Sequence, residues 1–319
     1  MHKVTITDYT FSDLSIEEEI LRAAGGKVEG AQARTAEAVI ACSADADAVI
    51  TQFAPVNAQA IAAMKKARVI VRYGIGVDNV DLAAAKANGI PVCNVPDYCI
   101  EEVADHTLAF VLALARQVVP NALVIRHGEW KMGVPPNMMR CLRDMTVGVV
   151  AFGRIGREVV KRLLSFGCQV LVFDPVASAD SIAQAGATAA TLDEIYSRSD
   201  LLTLHCPSTA QTRGMISQPV FAKMKKGVLI VNASRGDLIV GDDLIEALKS
   251  GQVGSAALDV TSPEPLPADS PLRGMPQVIV HSHIASVSVA SVKRLRSTVA
   301  ELAARVLRGE KAINVVNGV

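Results

Sequence analysis

The sequence predicts an α/β fold made of two doubly wound parallel-sheet domains. Short apolar runs alternate with helical stretches nearly throughout, the pattern that gives parallel sheets covered by helices on both faces. After a polar, proline-containing stretch at residues 128–144, a second strand series begins at Met145. With 319 residues, half of them hydrophobic, the chain has material for two cores rather than one.

In the first series, the runs at residues 4–7, 48–52, 68–72 and 91–94 are expected as strands, with helices at 57–66 and 81–88 among them. A helix follows at about 101–127. Its most apolar part, 103–119, carries Asp105, His106 and Arg116 and falls short of a bilayer span, so it is expected as a buried helix. In the second series, strands are expected at 147–152, 169–173, 201–205, 228–232, 255–260 and 278–281. A final helix at about 289–308 has a pattern that would close either domain.

Lysine plus arginine equals aspartate plus glutamate at 32 each, so there is no basic surplus to neutralise nucleic-acid phosphates or anionic lipid. A small-molecule partner is expected, with no direct nucleic-acid or membrane contact. The six cysteines are scattered, without a CxxC pair or zinc spacing, and are expected as buried thiols of a reducing cytoplasm. The first residues alternate like a strand and lack the design of a secretory signal, which adds to the cytoplasmic expectation.

Residues 147–156, VGVVAFGRIG, read as a strand entering a glycine turn that opens a helix. Backbone N–H groups at such a helix start face a pyrophosphate, and glycine permits close approach. Gly153, Arg154, Ile155 and Gly156 are therefore candidate cofactor contacts. Ala151 replaces the first glycine, a departure expected to be tolerated only where φ stays negative. Asp174, 18 residues after Gly156 at the end of the next strand, is placed to accept the ribose hydroxyls. No arginine lies between Asp174 and Ser181 to receive a 2′-phosphate, so NAD is expected over NADP.

Several ordered blocks then resemble the D-2-hydroxyacid dehydrogenase family over most of the chain: RYGIGVDNVD (72–81), GIPVCNVP (89–96), VADHT (103–107), the glycine turn, VNASRG (231–236), ALDV (257–260), Glu264-Pro265 and His283-Ile284-Ala285. Asp105 stands where many relatives have glutamate, Ser282 where relatives often have proline, and Ser286 where some carry a bulky aromatic. The resemblance implies a flavodoxin-like substrate-binding domain at 1–98 plus 290–319, a Rossmann NAD domain at 99–289, and an active site in the cleft between. It also implies that Arg72, Gly74, Ile75 and Gly76 form the substrate loop. Thr107 and the backbone of Arg154 and Ile155 would contact the pyrophosphate, and Ala233 and Asp259 would lie near the nicotinamide. A homodimer is implied as well, and the apolar 103–119 segment has more hydrophobic surface than one amphipathic face requires.

Hydride delivery to a 2-oxo acid needs a carboxylate anchor, a polarised carbonyl and a proton donor. Arg235, after a strand end, has the planar fork that grips a carboxylate, and the Gly74–Gly76 amides make a nest for the same group. His283 is the expected acid/base, since imidazole titrates near neutral pH, and Glu264 would orient it and favour its charged form. His281 and His283 would face one side of an extended strand, as a metal pair does, but no third ligand is apparent and no metal is expected. The expected activity is hydride transfer between NAD(H) and a small D-2-hydroxy or 2-oxo acid. Glyoxylate, hydroxypyruvate, longer 2-oxo acids and phosphorylated hydroxy acids all satisfy the motifs. The competing reading is an NADH-sensing, corepressor-like binding protein with little turnover, since relatives of that kind keep the same catalytic set.

Overall fold

The computed structural model describes residues Met1–Val319. Along the chain come β1 (His2–Ile6), α1 (Ser15–Ala23), β2 (Gly26–Gly30), α2 (Ala36–Ser43), β3 (Ala48–Thr51), α3 (Ala58–Ala63), β4 (Ile70–Arg72), α4 (Leu82–Ala87) and β5 (Val92–Cys93). Next are α5 (Ile100–Ala115), α6 (Val118–Arg126), β6 (Thr146–Val150), α7 (Arg154–Leu164), β7 (Gln169–Phe173), α8 (Ala179–Gln184), β8 (Thr188–Ala189), α9 (Leu192–Arg198) and β9 (Leu201–Leu204). The chain ends with α10 (Gln218–Phe221), β10 (Val228–Asn232), α11 (Gly241–Lys249), β11 (Val253–Leu258), β12 (Val278–Val280) and α12 (Val289–Leu307).

Contacts divide the chain into two compact units, Met1–Tyr98 with Ser288–Val319, and Cys99–Val287. The first has a five-stranded, all-parallel sheet in the order β2-β1-β3-β4-β5, the flavodoxin-like arrangement. Each face buries its own core. Val4, Ile6, Ile50 and Val71 pack with Leu295, Val299, Ala303 and Leu307 of α12, while Val49, Ile70 and Val92 pack with Val39, Ile61 and Ala85 of α2, α3 and α4. Side-chain caps start these short helices: Thr35 accepts from the Ala38 amide, Asn57 from Ala60 and Asp81 from Ala84. Inside this unit the Arg296 guanidinium of α12 grips the wholly buried Glu17 of α1 at 2.7 Å and also reaches the backbone and carboxylate of Asp13.

In the second unit, seven parallel strands run in the order β12-β11-β10-β9-β6-β7-β8. The order reverses at β6, the first strand of the series, which is the doubly wound pattern whose switch point receives ligands. Val147, Val149 and Val231 bury one face with Leu108, Val111, Val159 and Leu163 of α5 and α7, and Val150, Leu202 and Ile230 bury the other with Ile195, Phe221 and Leu244 of α9, α10 and α11. Asp105 is drawn to Arg162 of α7, whose Nε donates to it at 2.7 Å, so its carboxylate serves helix packing.

Several expectations need correction. The helix expected at 101–127 is two helices, bent by 67° at Gln117, which adopts φ +51. Eight residues of α5 are buried but none of α6. No single helix is long and apolar enough to cross a membrane. Two strands went unread: β2, whose GKVEG sequence is mostly polar and pairs only with β1, and the two-residue edge strand β8. All six cysteines are free thiols, but Cys141 is exposed and Cys42 half-buried rather than buried.

Candidate active site

β6 delivers the chain to the glycine turn. The Ala151 amide donates to Phe173 O at 2.7 Å, and the turn enters α7 with Gly153 as its N-cap. Unlike α8 and α9, which Ser178 and Thr191 cap, α7 has no side chain bonded to its first amides. An anion is the natural partner for those N–H groups and the positive end of the helix. Gly156 permits the close crossing of helix over strand, since a Cβ there would sit 2.2 Å from Ala151 O. These features fit a dinucleotide pyrophosphate.

Ala151 adopts φ +80, not the negative φ expected for a non-glycine residue. The turn keeps the backbone a glycine would take and imposes it on alanine. Such a conformation costs roughly 1–2 kcal/mol, partly offset in a glycine replacement by about 0.5–1 kcal/mol of chain entropy. Ala151→Gly should therefore raise stability by about 1 kcal/mol in denaturant unfolding of the unit. A variant no more stable than the parent would show that the turn carries no strain.

Asp174 lies just beyond β7, where its Oδ2 accepts from the Phe152 amide at 2.7 Å and its Oδ1 from Val176 and Ala177 at 2.8 Å each. Burial pushes this carboxyl up, but the three backbone donors, with Arg157 nearby, outweigh it and hold the pKa below the usual value. Arg157 stacks over Phe152, 4.2 Å from the ring centroid. Sequence reasoning sought a cation only after Asp174 and so overlooked one arriving from α7. Thr107 is wholly buried, and its hydroxyl donates back to Val103 O at 2.8 Å.

Arg235 follows β10 in a loop that Asn232 organises: Asn232 Nδ2 donates to Arg235 O at 2.8 Å, and the Ser234 amide to Asn232 Oδ1 at 3.1 Å. Ala233 is half-buried in the same loop. Past β12, His283 Nδ1 faces Glu264 Oε1 at 3.1 Å and Oε2 at 3.3 Å. His283 adopts φ +59, so it does not continue the strand, and the expected same-side pairing with His281 does not form. Asp259, buried at the end of β11, holds this turn. Its carbonyl accepts from the His283 amide at 2.8 Å and its carboxylate from Ile284 and Ala285 at 2.9 Å each. A left-handed non-glycine residue persists only where its surroundings impose it, and three bonds from one aspartate do so here.

His281 turns instead to His106 of α5, with Nδ1 and Nε2 2.9 Å apart. Burial lowers the His106 pKa; Asp259 opposes that and His281 adds to it. Beneath Glu264 and His281 opens a cavity of about 690 Å³, lined further by Leu266, Leu272, Val278 and Val280.

In the other unit, Arg72 ends β4 and its guanidinium lies across Gly74, whose φ of +140 requires glycine. Gly74 O accepts from the Val95 amide at 2.9 Å and Ile75 O from Asn94 Nδ2 at 2.6 Å; Ile75 and Gly76 are half-buried.

An uncapped helix at the switch point of a parallel sheet is the kind of site that binds a dinucleotide, and a histidine–carboxylate pair lies in the same unit. Residues 108–285 match the family model of the D-isomer specific 2-hydroxyacid dehydrogenase NAD binding domain. The chain is 38% identical to D-3-phosphoglycerate dehydrogenase of Mycobacterium bovis over 88% of its own length and 53% of that protein's. It is 35% identical to glyoxylate reductase of Korarchaeum cryptofilum over 86% of this chain and 83% of that one. A solved structure of D-lactate dehydrogenase from Aquifex aeolicus, complexed with NAD and lactic acid, superposes with a TM-score of 0.87 at 26% identity, covering 96% of each chain. The chain thus belongs to the D-isomer specific 2-hydroxyacid dehydrogenase family, and its NAD-binding domain includes residues 108–285. It spans about half the length of the mycobacterial D-3-phosphoglycerate dehydrogenases it matches.

Proposed function

We propose that the protein is an NAD-dependent oxidoreductase acting between a small D-2-hydroxy acid and its 2-oxo acid, with residues 1–98 and 290–319 as substrate-binding domain. The reading rests chiefly on one observation: in a chain of this family, His283, on a turn held by Asp259, stands 3.1 Å from Glu264. When bound, the nicotinamide supplies or accepts the hydride at the carbonyl carbon. Arg235 grips the substrate carboxylate and aligns the carbonyl, and in the substrate-binding domain Arg72 and the amides of Gly74, Ile75 and Gly76 are assigned to the substrate. With Nδ1 turned to Glu264, His283 delivers its proton from Nε2 to the developing alkoxide and removes it in the reverse direction. The carboxylate of Glu264 holds Nδ1 and so fixes the ring. Asp259 and Ala233 lie on the nicotinamide side of the proposed site, with Thr107, Gly153, Arg154, Ile155 and Gly156 on the pyrophosphate side.

Asp174 is assigned to the ribose hydroxyls, where its charge would repel a 2′-phosphate. A panel of 2-oxo acids assayed with both cofactors should give kcat/KM at least tenfold higher with NADH. Asp174→Ala should narrow that ratio, because Arg157 would then be left to receive the 2′-phosphate. Equal or better use of NADPH by the parent protein would remove the assignment of Asp174. Tight NADH binding with no turnover of any 2-oxo acid would favour the corepressor-like reading instead.

We also infer a homodimer, on a revised ground. The surplus apolar surface belongs to α6 and the loop after it, not to α5: Val118, Leu123, Ile125, Met132 and Met138 are exposed, and Trp130 is 94% exposed. Light scattering at micromolar concentration should return twice 33.6 kDa, and a mass near 33.6 kDa would contradict the dimer.

A further inference from the structure

We propose that His106, Asp259 and His281 form a binding site for a late first-row divalent metal, zinc or cobalt being the natural probes. His106 Nε2 and His281 Nδ1 face each other at 2.9 Å, and the donor atoms of all three side chains lie within 4.8 Å of one another. Three donors around a tetrahedral zinc sit about 3.4 Å apart, from metal–ligand bonds of about 2.1 Å. The histidine pair is already near that spacing, and the carboxylate, within 4.8 Å of it, needs a shift of at most about 1.4 Å.

The donor set suits such an ion. Two imidazoles and one carboxylate favour zinc, cobalt or nickel over magnesium or calcium, and three protein ligands leave a fourth position for solvent. Each Asp259 oxygen already accepts one backbone bond, from Ile284 or Ala285, and keeps a second lone pair for a metal. Those amides orient the carboxylate as outer hydrogen bonds orient metal ligands elsewhere. Phe110 walls one side, with its ring centroid 4.6 Å from that of His106 and 4.8 Å from that of His281. The three ligands come from α5, the end of β11 and the end of β12, so a metal would tie together elements that the sequence separates by up to 175 residues.

Binding needs no net loss of protons from a neutral pair. One of the two facing nitrogens carries the hydrogen of the 2.9 Å contact, and on metal binding that hydrogen moves to the other nitrogen of the same ring. Because Asp259 also holds the His283 turn, an ion here adjoins the proposed acid/base without involving it as a ligand.

The test uses the full chain, stripped with a chelator and titrated with cobalt(II) chloride. One equivalent should bind with the visible absorption of four- or five-coordinate cobalt, and zinc should displace it. His281→Gln and His106→Gln should each weaken cobalt binding at least tenfold, with circular dichroism verifying that the variants are folded. Zinc should raise the thermal midpoint of the parent protein and not that of either variant. Absence of stoichiometric cobalt binding at 1:1 protein and metal, or undiminished affinity in both folded variants, would overturn the proposal.

Discussion

His283→Ala should lower kcat for 2-oxo acid reduction by about 10² to 10⁴ while NADH affinity stays within a few-fold of the parent value. The side chain is the proposed proton donor, and its backbone, not its ring, is what Asp259 holds through the 2.8 Å amide bond, so the turn should survive truncation. Alanine fits φ +59 less readily than histidine does, so unchanged circular dichroism and NADH affinity are needed to set strain aside as a competing cause. Glu264→Gln keeps the shape and one hydrogen bond to Nδ1 but removes the charge, so its loss should be smaller than that of His283→Ala. NADH binding followed by fluorescence is the internal control, and a primary isotope effect with deuterated NADH reports whether hydride transfer limits the rate. A His283→Ala protein with near-parent kcat and a full isotope effect would overturn the assignment.

Glu17→Ala should destabilise the first unit by about 3–5 kcal/mol. The Glu17 side chain is fully buried and that of Arg296 only 8% exposed, so truncation strands a buried guanidinium. It also strips the Tyr73 hydroxyl of its acceptor at 3.0 Å, a phenol whose pKa burial and the Glu17 charge hold well above the ordinary value. Arg296 keeps its bonds to Asp13 and its place over Phe11, 5.0 Å from the ring centroid, which limits the loss. Hydrogen exchange of α1 and α12 amides isolates this unit from the other. A change below 1 kcal/mol would mean that water replaces the carboxylate at little cost.

The layout of both sheets was legible because a buried parallel strand reads as a continuous apolar run, as β7 (QVLVF) and β10 (VLIVN) do. Strands that pair on one side only do not: β2 is GKVEG and β8 two exposed residues, and their pairing is decided by neighbours rather than by composition. The bend at Gln117 has its signal in Pro120, which falls in the first turn of α6 and has no N–H with which to continue the hydrogen bonding of α5, but the apolar pattern runs through both helices and masks it. At the candidate site, ordered motifs pointed to Arg235, Glu264, His283 and Asp259, but gave Asp259 a place near the nicotinamide and not its hold on the His283 turn. The bonds from Asp259 to Ile284 and Ala285 span 25 and 26 residues, and the facing of His106 and His281 spans 175, so only the fold brings them together. Arg157 was missed for the same reason, being nearer to Asp174 in space than in sequence.

The first unit is assembled from two stretches of chain with residues 99–287 between them. Leu295, Val299, Ala303 and Leu307 close the core that Val4, Ile6, Ile50 and Val71 begin. A ribosome adding about 5–20 residues per second therefore leaves that sheet face uncovered for about 10–40 s, while the intervening unit has every strand it needs to fold. Nascent chains stalled before Val289 should accordingly be bound by holding chaperones along residues 1–98, and chains released beyond Leu307 should not.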